Sequence, residues 1–169
     1  NCVGAGSPKR IKEMGMSLID INDKYDHMVL DYLKKYPETK YIYISSGIVH
    51  EMDSSLYRHN KVLTEKRHRD LADFNITDIR VYSFFSKFLK DDEGFFMSEL
   101  IRCIKQKQTL KVIPLNIVRD YIAPLDLANL ILQVPSGNRV MEAYSKKPVQ
   151  LGEILDYFST EHGLIWETM

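Results

Sequence analysis

The stretch Tyr41-Ile42-Tyr43-Ile44-Ser45-Ser46-Gly47 decides how this chain folds. Four β-favouring residues are followed at once by two serines and a glycine, which predicts a short strand that ends in a turn. In the preceding residues 17–36, apolar side chains recur at helical spacing until Pro37 ends the helix; they are Ile21, Tyr25, Met28, Val29, Tyr32 and Leu33. The chain therefore passes from a helix into a strand and then into a turn.

The alternation of helices and strands continues beyond this turn. Spacing and composition predict helices over residues 56–74, 94–104, 125–133 and 151–158, the last stopped by Gly163, and strands over 76–82, 110–115 and 139–144. Parallel strands need crossover connections, and helices usually supply them. This order therefore predicts an α/β fold with a mostly parallel sheet flanked by helices.

The composition indicates one globular core. The 169 residues are 44% hydrophobic and 27% charged, and 23 basic residues balance 23 acidic ones. A chain of zero net charge is poorly suited to bind nucleic acid or an anionic membrane surface. No apolar run approaches the roughly 20 residues that cross a bilayer, and the first residues lack the basic and apolar regions of a secretory signal. We therefore expect a soluble, cytoplasmic protein with no nucleic-acid or membrane partner.

Cysteine and histidine spacing predicts neither a disulfide scaffold nor a metal site. Cys2 and Cys103 are far apart and form no Cys-x-x-Cys motif. His50, His59 and His68 lack the spacing of metal ligands, so we expect them on a solvated face.

Ligands of an open parallel sheet bind outside the carboxyl ends of its strands. This rule points to residues 45–47, to residues 82–85 and to the surroundings of Arg119. Tyr57 and Lys61 follow the first of these stretches. They are four residues apart on a predicted helix, so their side chains project from one face.

A second Tyr-x-x-x-Lys motif lies at residues 36–40, but it contains Pro37 and falls in a loop. We therefore assign chemistry to Tyr57 and Lys61. A phenol with a pKa near 10 is a poor base at neutral pH, but a nearby ammonium, and a cationic nicotinamide if one is bound, would favour the phenolate. The hydroxyl of Ser46 is suited to hydrogen-bond the substrate oxygen whose proton Tyr57 takes or returns.

Several residues keep a second interpretation. The serines also fit a simple turn, Arg119 a surface charge and Ser83 a strand-end hydroxyl. Five phenylalanines are expected in the core rather than as a platform for a sugar or base: Phe84, Phe85, Phe88, Phe95 and Phe96.

The order of the motifs adds a family resemblance. Residues 41–50 combine a strand, a Ser-Ser turn and a Val-His pair, and Tyr57-x-x-x-Lys61 follows with Glu65 behind it. These stretches resemble the extended short-chain dehydrogenase/reductases, the branch that contains NAD(P)-dependent nucleotide-sugar epimerases and dehydratases. That family places its catalytic serine or threonine where Ser46 stands, and it usually has a tyrosine in place of His50.

Three further stretches are similar to the same family. Residues 78–83 resemble its arginine-bearing strand, with Ser83 where an asparagine often contacts the substrate. Arg119-Asp120-Tyr121-Ile122, followed by Asp126-Leu127-Ala128, resembles a block whose arginine commonly binds the pyrophosphate of a nucleotide-sugar. Residues 1–4 resemble the end of the family's fourth strand, near the nicotinamide.

The resemblance implies a Rossmann-like fold with part of a small C-terminal substrate-binding subdomain. It implies NAD or NADP as the cofactor and a nucleotide-sugar as the substrate. The catalytic residues would be Ser46, Tyr57 and Lys61; the cofactor contacts Val3, Gly4, Asn22, Tyr57 and Lys61; and the substrate contacts Ser46, Ser83 and Arg119. Asn22 would steady a water near Lys61, although helix capping explains it equally well.

The resemblance also divides the chain into segments. Residues 1–88 would form the second half of the NAD(P)-binding core, residues 89–124 a segment of the substrate-binding subdomain, and residues 125–169 a return helix, a strand and a C-terminal helix. Dimerisation through two helices per subunit is common in the family, which makes the helices at 17–36 and 56–74 candidates for a homodimer interface.

Two departures from the family keep alternatives open. The phosphate loop Gly-x-x-Gly-x-x-Gly is absent from the sequence, since Gly4-Ala5-Gly6-Ser7-Pro8-Lys9 follows no strand and carries a lysine where a small residue is needed. The interval from Ser46 to Tyr57 is also short for the family. The expected function is an NAD(P)-dependent epimerase, dehydratase or reductase. The alternatives are a non-catalytic or truncated module of the same fold that binds a nucleotide or a protein, and an unrelated α/β binding domain.

Overall fold

A computed structural model describes residues 6–113 and 117–169. The helices are α1 (Pro8–Met14), α2 (Ser17–Lys35), α3 (Leu56–Arg69), α4 (Phe96–Gln106), α5 (Pro124–Leu132) and α6 (Leu151–His162). The strands are β1 (Tyr41–Ser46), β2 (Ile76–Val81), β3 (Ser83–Phe84), β4 (Leu110–Val112), β5 (Val118–Arg119), β6 (Tyr121–Ile122), β7 (Arg139–Ala143), β8 (Val149–Gln150) and β9 (Trp166–Thr168).

The central sheet is parallel and has the strand order β1-β2-β7. Tyr41 lies opposite Ile76 at one end of the β1–β2 pair, and Ser46 lies opposite Val81 at the other. The connection from β1 to β2 contains a 3₁₀ turn, Gly47–His50, and then α3. The predicted α/β class with a parallel sheet and helical crossovers is therefore confirmed.

Helices cover both faces of this sheet. Successive strand residues point to opposite faces, so Tyr41 and Tyr43 pack with Leu30 and Leu33 of α2, and Ile42 and Ile44 pack on the side of α5. Ile76 and Ile79 of β2 are fully buried, each on a different face. A strand that is buried on both faces has a nearly continuous apolar sequence, as residues 41–44 do.

A third apolar cluster joins α4, β4 and α6. Its most deeply buried members include Leu100, Leu110 and Leu155. Three small two-stranded sheets surround this part of the fold: β3 with β6, β4 with β9 and β5 with β8. These strands have two or three residues each, too short to leave a periodic signal in the sequence, which is why β3, β5, β6, β8 and β9 were not predicted.

The predicted helix ends agree with the structure except at α3. This helix ends at Arg69 rather than at Phe74, and backbone N–H groups of the following residues bond back to its last carbonyls. Gly163 ends α6 as predicted, in the left-handed conformation (φ +67°) that favours glycine. Leu115, in the predicted strand 110–115, lies outside the described residues.

The apolar stripe that predicts α2 is mostly exposed. Ile21, Tyr25, Met28 and Tyr32 face solvent in the isolated chain, although Leu33 is buried. The inward face instead carries Asn22 and Asp26 among leucines, because α2 packs on α3 through hydrogen-bonded polar side chains.

A helix of the length and apolarity needed to cross a membrane does not occur in the described part of the chain.

Candidate active site

A cavity of about 830 Å³ opens at the carboxyl ends of β1 and β2. Ser46 and Val81, the last residues of these strands, line it, as the rule for parallel sheets predicts. α1 and the segment 89–99 form other parts of its wall, and Arg119 and Tyr121 complete it. Five of the predicted site residues lie in this lining: Ser46, Tyr57, Lys61, Ser83 and Arg119.

Ser46 is held by the turn that follows β1. Its Oγ accepts a hydrogen bond from the backbone N–H of Ile48 (3.3 Å), and its hydroxyl lies near enough to Tyr57 to lower the pKa of that phenol. Gly47 is required at the next position, because a Cβ there would lie 2.3 Å from Cδ1 of the Tyr82 ring. The Tyr82 ring thus packs directly on the turn that presents Ser46.

Tyr57 and Lys61 lie one helical turn apart in the first half of α3. Ser55 caps this helix by accepting a hydrogen bond from the backbone N–H of Arg58. The Lys61 ammonium lies 5.7 Å from the centroid of the Tyr57 ring. Lys61 donates hydrogen bonds to Tyr43 Oη and to the carbonyl oxygen of Ile44, both at 2.9 Å. Sequence reasoning missed Tyr43, although strand alternation places it on the face that meets α3.

The Tyr57 phenol differs from expectation in its acidity. Burial raises the pKa of Tyr57, and the Ser46 hydroxyl offsets only part of this rise. We expected the Lys61 ammonium to favour the phenolate, but in this structure Lys61 is hydrogen-bonded to Tyr43 and Ile44. The protein without ligands therefore holds Tyr57 as a neutral phenol at neutral pH.

A charged network behind the cavity fixes α3 against the sheet. Ser45 donates to Glu65, and the Arg80 guanidinium donates to Glu65 through Nε and Nη2, with a shortest distance of 2.6 Å. Arg80 Nη1 and Tyr82 Oη both donate to Glu142 of β7 (2.8 and 2.9 Å). Buried ion pairs of this geometry orient their elements, whatever their net contribution to stability. Glu142 was not expected at this network, because a predicted strand at 139–144 does not reveal that it pairs with β2.

Arg119 has an open hydrogen-bonding position in the cavity wall. Its Nε is buried and has no hydrogen-bond partner among the described residues. A buried N–H donor without a partner is costly. The guanidinium of Arg119 belongs to the cavity lining, and a guanidinium is suited to bind an anionic ligand. Ser83 also lines the cavity, opposite Tyr121 in the β3–β6 pair.

Of the remaining predicted contacts, Asn22 does not line this cavity. Asn22 lies inside α2, so it does not cap the helix; its amide donates to Asn60 Oδ1 at 2.6 Å, next to Lys61 in sequence. Val3 and Gly4 lie outside the described residues. Phe84, Phe95 and Phe96 line the cavity, and the expectation of a core position for Phe88 is wrong, since this side chain is 80% exposed.

The expected solvated position is also wrong for His68. Its ring is fully buried, with Nδ1 2.6 Å from a carboxylate oxygen of Asp78 and Nε2 2.8 Å from one of Asp26. Burial opposes the charged ring, but the hydrogen bonds to the two carboxylates outweigh it and raise the pKa of His68. Among residues 6–113 and 117–169, no group of three or more His, Cys, Asp or Glu residues is arranged to hold a metal ion.

Comparison with solved structures supports the fold. UDP-glucose 4-epimerase of Thermotoga maritima, solved with UDP-glucose, matches 98% of this chain with a TM-score of 0.81 at 14% identity. UDP-glucose 4-epimerase of Stenotrophomonas maltophila, solved with NAD and formylated UDP-arabinopyranose, matches 99% with a TM-score of 0.78 at 15% identity. RMD of Pseudomonas aeruginosa, complexed with NADPH, matches 98% with a TM-score of 0.73 at 15% identity.

These likenesses confirm the predicted Rossmann-like α/β fold and its similarity to nucleotide-sugar epimerases. At such identities they show the fold alone. The chain spans 62%, 62% and 67% of the length of the three structures. The sequence matches no protein-family model and no curated protein.

Proposed function

We propose that this chain forms the catalytic and substrate-binding part of an NAD(P)-dependent enzyme that acts on a nucleotide-sugar, most simply an epimerase. One observation carries the proposal: Ser46, Tyr57 and Lys61 reach the same cavity as Arg119. A proton-transfer group and an anion-binding group thus meet at the carboxyl ends of parallel strands, where folds of this class bind their ligands. The ligands of the fold neighbours, UDP-sugars with NAD or NADPH, support the choice of substrate and cofactor.

The residues of the cavity fit a nicotinamide cofactor. Lys61 and Tyr57 present an ammonium and a phenol at its wall, which are suited to hydrogen-bond ribose hydroxyls. Val3, Gly4 and Asn22 stay predictions as cofactor contacts; Asn22 would act indirectly, through Asn60 and the backbone of α3. When bound, the nicotinamide would supply the acceptor and donor of hydride.

The side chains of this chain would then move and hold a proton. The neutral Tyr57 phenol is poised to donate a proton to a sugar keto oxygen, and Ser46 would hydrogen-bond the same oxygen. Positive charge that enters the cavity beside Tyr57 would lower the pKa of the phenol and let it act as a base in the opposite direction. Arg119 would bind the phosphates through its guanidinium, and Ser83 would contact the sugar or ribose.

Dehydratase and reductase chemistry would use the same three residues, Ser46, Tyr57 and Lys61, so the site alone does not choose among the three reactions. The names of the fold neighbours favour epimerisation, and we therefore propose it. The test is an assay of the full-length protein with UDP-glucose and other UDP-sugars, with NAD, with NADP and separately with NADPH, followed by NMR of the products. A changed sugar configuration with no net consumption of cofactor supports epimerisation. Consumption of NADPH identifies a reductase, and loss of water identifies a dehydratase.

A binding module without turnover is the second candidate. The observation in its favour is that burial raises the pKa of Tyr57 while Lys61 is directed at Tyr43 and Ile44. Calorimetry together with NMR of the products distinguishes the two functions: a module binds UDP-glucose or NAD and leaves both unchanged, whereas the proposed enzyme converts the sugar.

We also propose that the chain forms a homodimer through α2 and α3. Ile21, Tyr25, Met28 and Tyr32 of α2 are exposed, as are Val62 and Leu63 of the neighbouring α3. An exposed apolar surface that extends over two adjacent helices is unusual for a monomer. A second copy of the same pair of helices would cover it.

A further inference from the structure

α1 forms one side of the cavity wall and packs loosely there, since none of its own residues is fully buried. Gly6, Ser7, Pro8, Arg10 and Ile11 line the cavity from this side. The helix buries none of its side chains. Its neighbour in the cavity wall is the segment 92–94, which also belongs to the lining through Glu93 and Gly94.

Only a few contacts join these two walls. Lys9 Nζ lies 2.6 Å from a carboxylate oxygen of Asp92, and the backbone N–H of Lys9 donates to the carbonyl oxygen of Glu93 (3.3 Å). Both charged side chains are well exposed, so water screens their attraction. The Pro8 ring packs near Gly94, where a Cβ would lie 3.4 Å from the proline.

Glycine flanks α1 on both sides. Gly6 precedes its capping residue Ser7, and Gly15 follows its last turn with φ +51°. Backbone at such positions changes conformation at low cost, which is the usual property of a hinge. α1 is thus a short helix with a glycine near each end, and its one buried neighbour is the capping residue Ser7.

Arg10 places a guanidinium group of α1 in the cavity lining. Its side chain faces the cavity and forms no ion pair within the described ranges. The other guanidinium in the lining, Arg119, has an unpartnered, buried Nε. Of the two acidic residues in the lining, Glu99 is paired with Arg102, whereas Glu93 lies beside Lys9. Two guanidinium groups without carboxylate partners therefore face one cavity from different elements.

We propose that α1 is a lid on the cavity and that Arg10 is its anion-binding residue, which closes over a diphosphate held by Arg119. The identity of the ligand as a nucleotide diphosphate rests on the proposed function. Charge-assisted hydrogen bonds from Arg10 to phosphate oxygens would draw the lid closed and slow the release of the ligand.

The test uses Arg10→Gln with Lys12→Gln as its matched control. Lys12 lies on the same helix and carries the same charge, but it is absent from the cavity lining. Calorimetry of the full-length protein measures the Kd of UDP-glucose and of inorganic pyrophosphate at low and at physiological ionic strength. We expect Arg10→Gln to weaken UDP-glucose binding roughly tenfold and to flatten its salt dependence, and Lys12→Gln to change Kd less than about twofold.

Hydrogen exchange measures the lid itself. The backbone amides of residues 9–14 should exchange fast in the free protein and more slowly with UDP-glucose, and Arg10→Gln should abolish this protection. Equal binding by Arg10→Gln and Lys12→Gln overturns the inference and leaves the proposed function standing. Arg10-dependent binding of pyrophosphate without any binding of UDP-glucose keeps the inference and overturns the nucleotide-sugar proposal. If neither compound binds, both fail.

Discussion

At the scale of single residues, the candidate site depends on the positions of three residues within their strand and helix. Ser46 ends a strand, Tyr57 lies near the start of a helix, and Lys61 lies one turn further on. Strand ends and helical spacing are local features, so the sequence alone predicted that these three side chains meet. It did not predict their environment, because the partners Tyr43 and Glu142 come from strands whose pairing no local pattern encodes.

Gly47 is the residue whose replacement should disturb Ser46 most directly. In Gly47→Ala, the new methyl would lie 2.3 Å from the Tyr82 ring, so the ring or the turn must move. We expect a loss of about 1–3 kcal/mol in the free energy of unfolding, measured in urea. Gly152→Ala is the control, since nothing lies within 4 Å of its added Cβ on α6, and it should not destabilise the protein. Equal stability of the two variants would contradict the close packing on this turn.

His68 should make stability depend on pH. Hydrogen bonds to Asp26 and Asp78 hold the pKa of its buried ring above the ordinary value of 6.5. A raised pKa means that the folded chain binds this proton more tightly than the unfolded chain does. The stabilisation is then complete below pH 6.5 and is lost as the pH rises through the folded-state pKa.

The measurement for His68 is urea unfolding over a pH series from slightly acidic to alkaline, together with NMR titration of the imidazole resonance. We expect the free energy of unfolding to decline towards alkaline pH and the His68 ring to titrate above 6.5. A ring that titrates below this value would show that burial outweighs the two carboxylates.

At the scale of elements, the interface of α2 with α3 is polar. Helical spacing correctly located α2, but the buried face contains Asn22 and Asp26, which pair with Asn60, Arg67 and His68. The sequence does not show which polar residues are buried. Each buried polar side chain here needs a hydrogen-bond partner, and that partner is distant in the chain. The sequence therefore predicted the helix α2 but not which of its faces is buried.

Substitutions of Asp23 and Asp26, the two aspartates that Arg67 contacts, test this interface. Arg67 donates to Asp26, whose side chain is 3% exposed, and to Asp23, whose side chain is 34% exposed. Asp26→Asn leaves Arg67 and His68 short of a buried carboxylate and should cost about 3 kcal/mol in unfolding free energy. Asp23→Asn should cost less than about 1 kcal/mol, because water screens that pair. Similar losses in thermal or urea unfolding would mean that the buried pair does not hold α2 in place.

At the scale of the whole molecule, the order of strands and helices was enough to predict a parallel sheet with its ligand cavity at the carboxyl ends. The region from α4 to α6 was less predictable, because its short strands pair over long sequence distances, as β4 does with β9. The apolar stripe on α2 is exposed in the single chain, and the proposed homodimer rests on this exposure.

The homodimer is tested with one charge on that surface. Met28 is 58% exposed on α2, so Met28→Glu would place a carboxylate in the proposed interface. We expect the unaltered protein to sediment as a dimer and Met28→Glu as a monomer with unchanged circular dichroism. Met52→Glu, at a fully exposed methionine in the loop before α3, should remain a dimer. A monomeric unaltered protein would refute the proposed interface.

The central claim is that the Tyr57 phenol transfers a proton in the cavity, and kcat of Tyr57→Phe in the full-length protein tests it most directly. Tyr36→Phe is the control, because Tyr36 also precedes a lysine by four residues but is exposed in a loop. We predict that Tyr57→Phe lowers kcat for UDP-glucose by about 10³-fold with the Kd of the sugar nearly unchanged, and that Tyr36→Phe alters neither. A Tyr57→Phe variant that turns over at the rate of Tyr36→Phe would contradict the account.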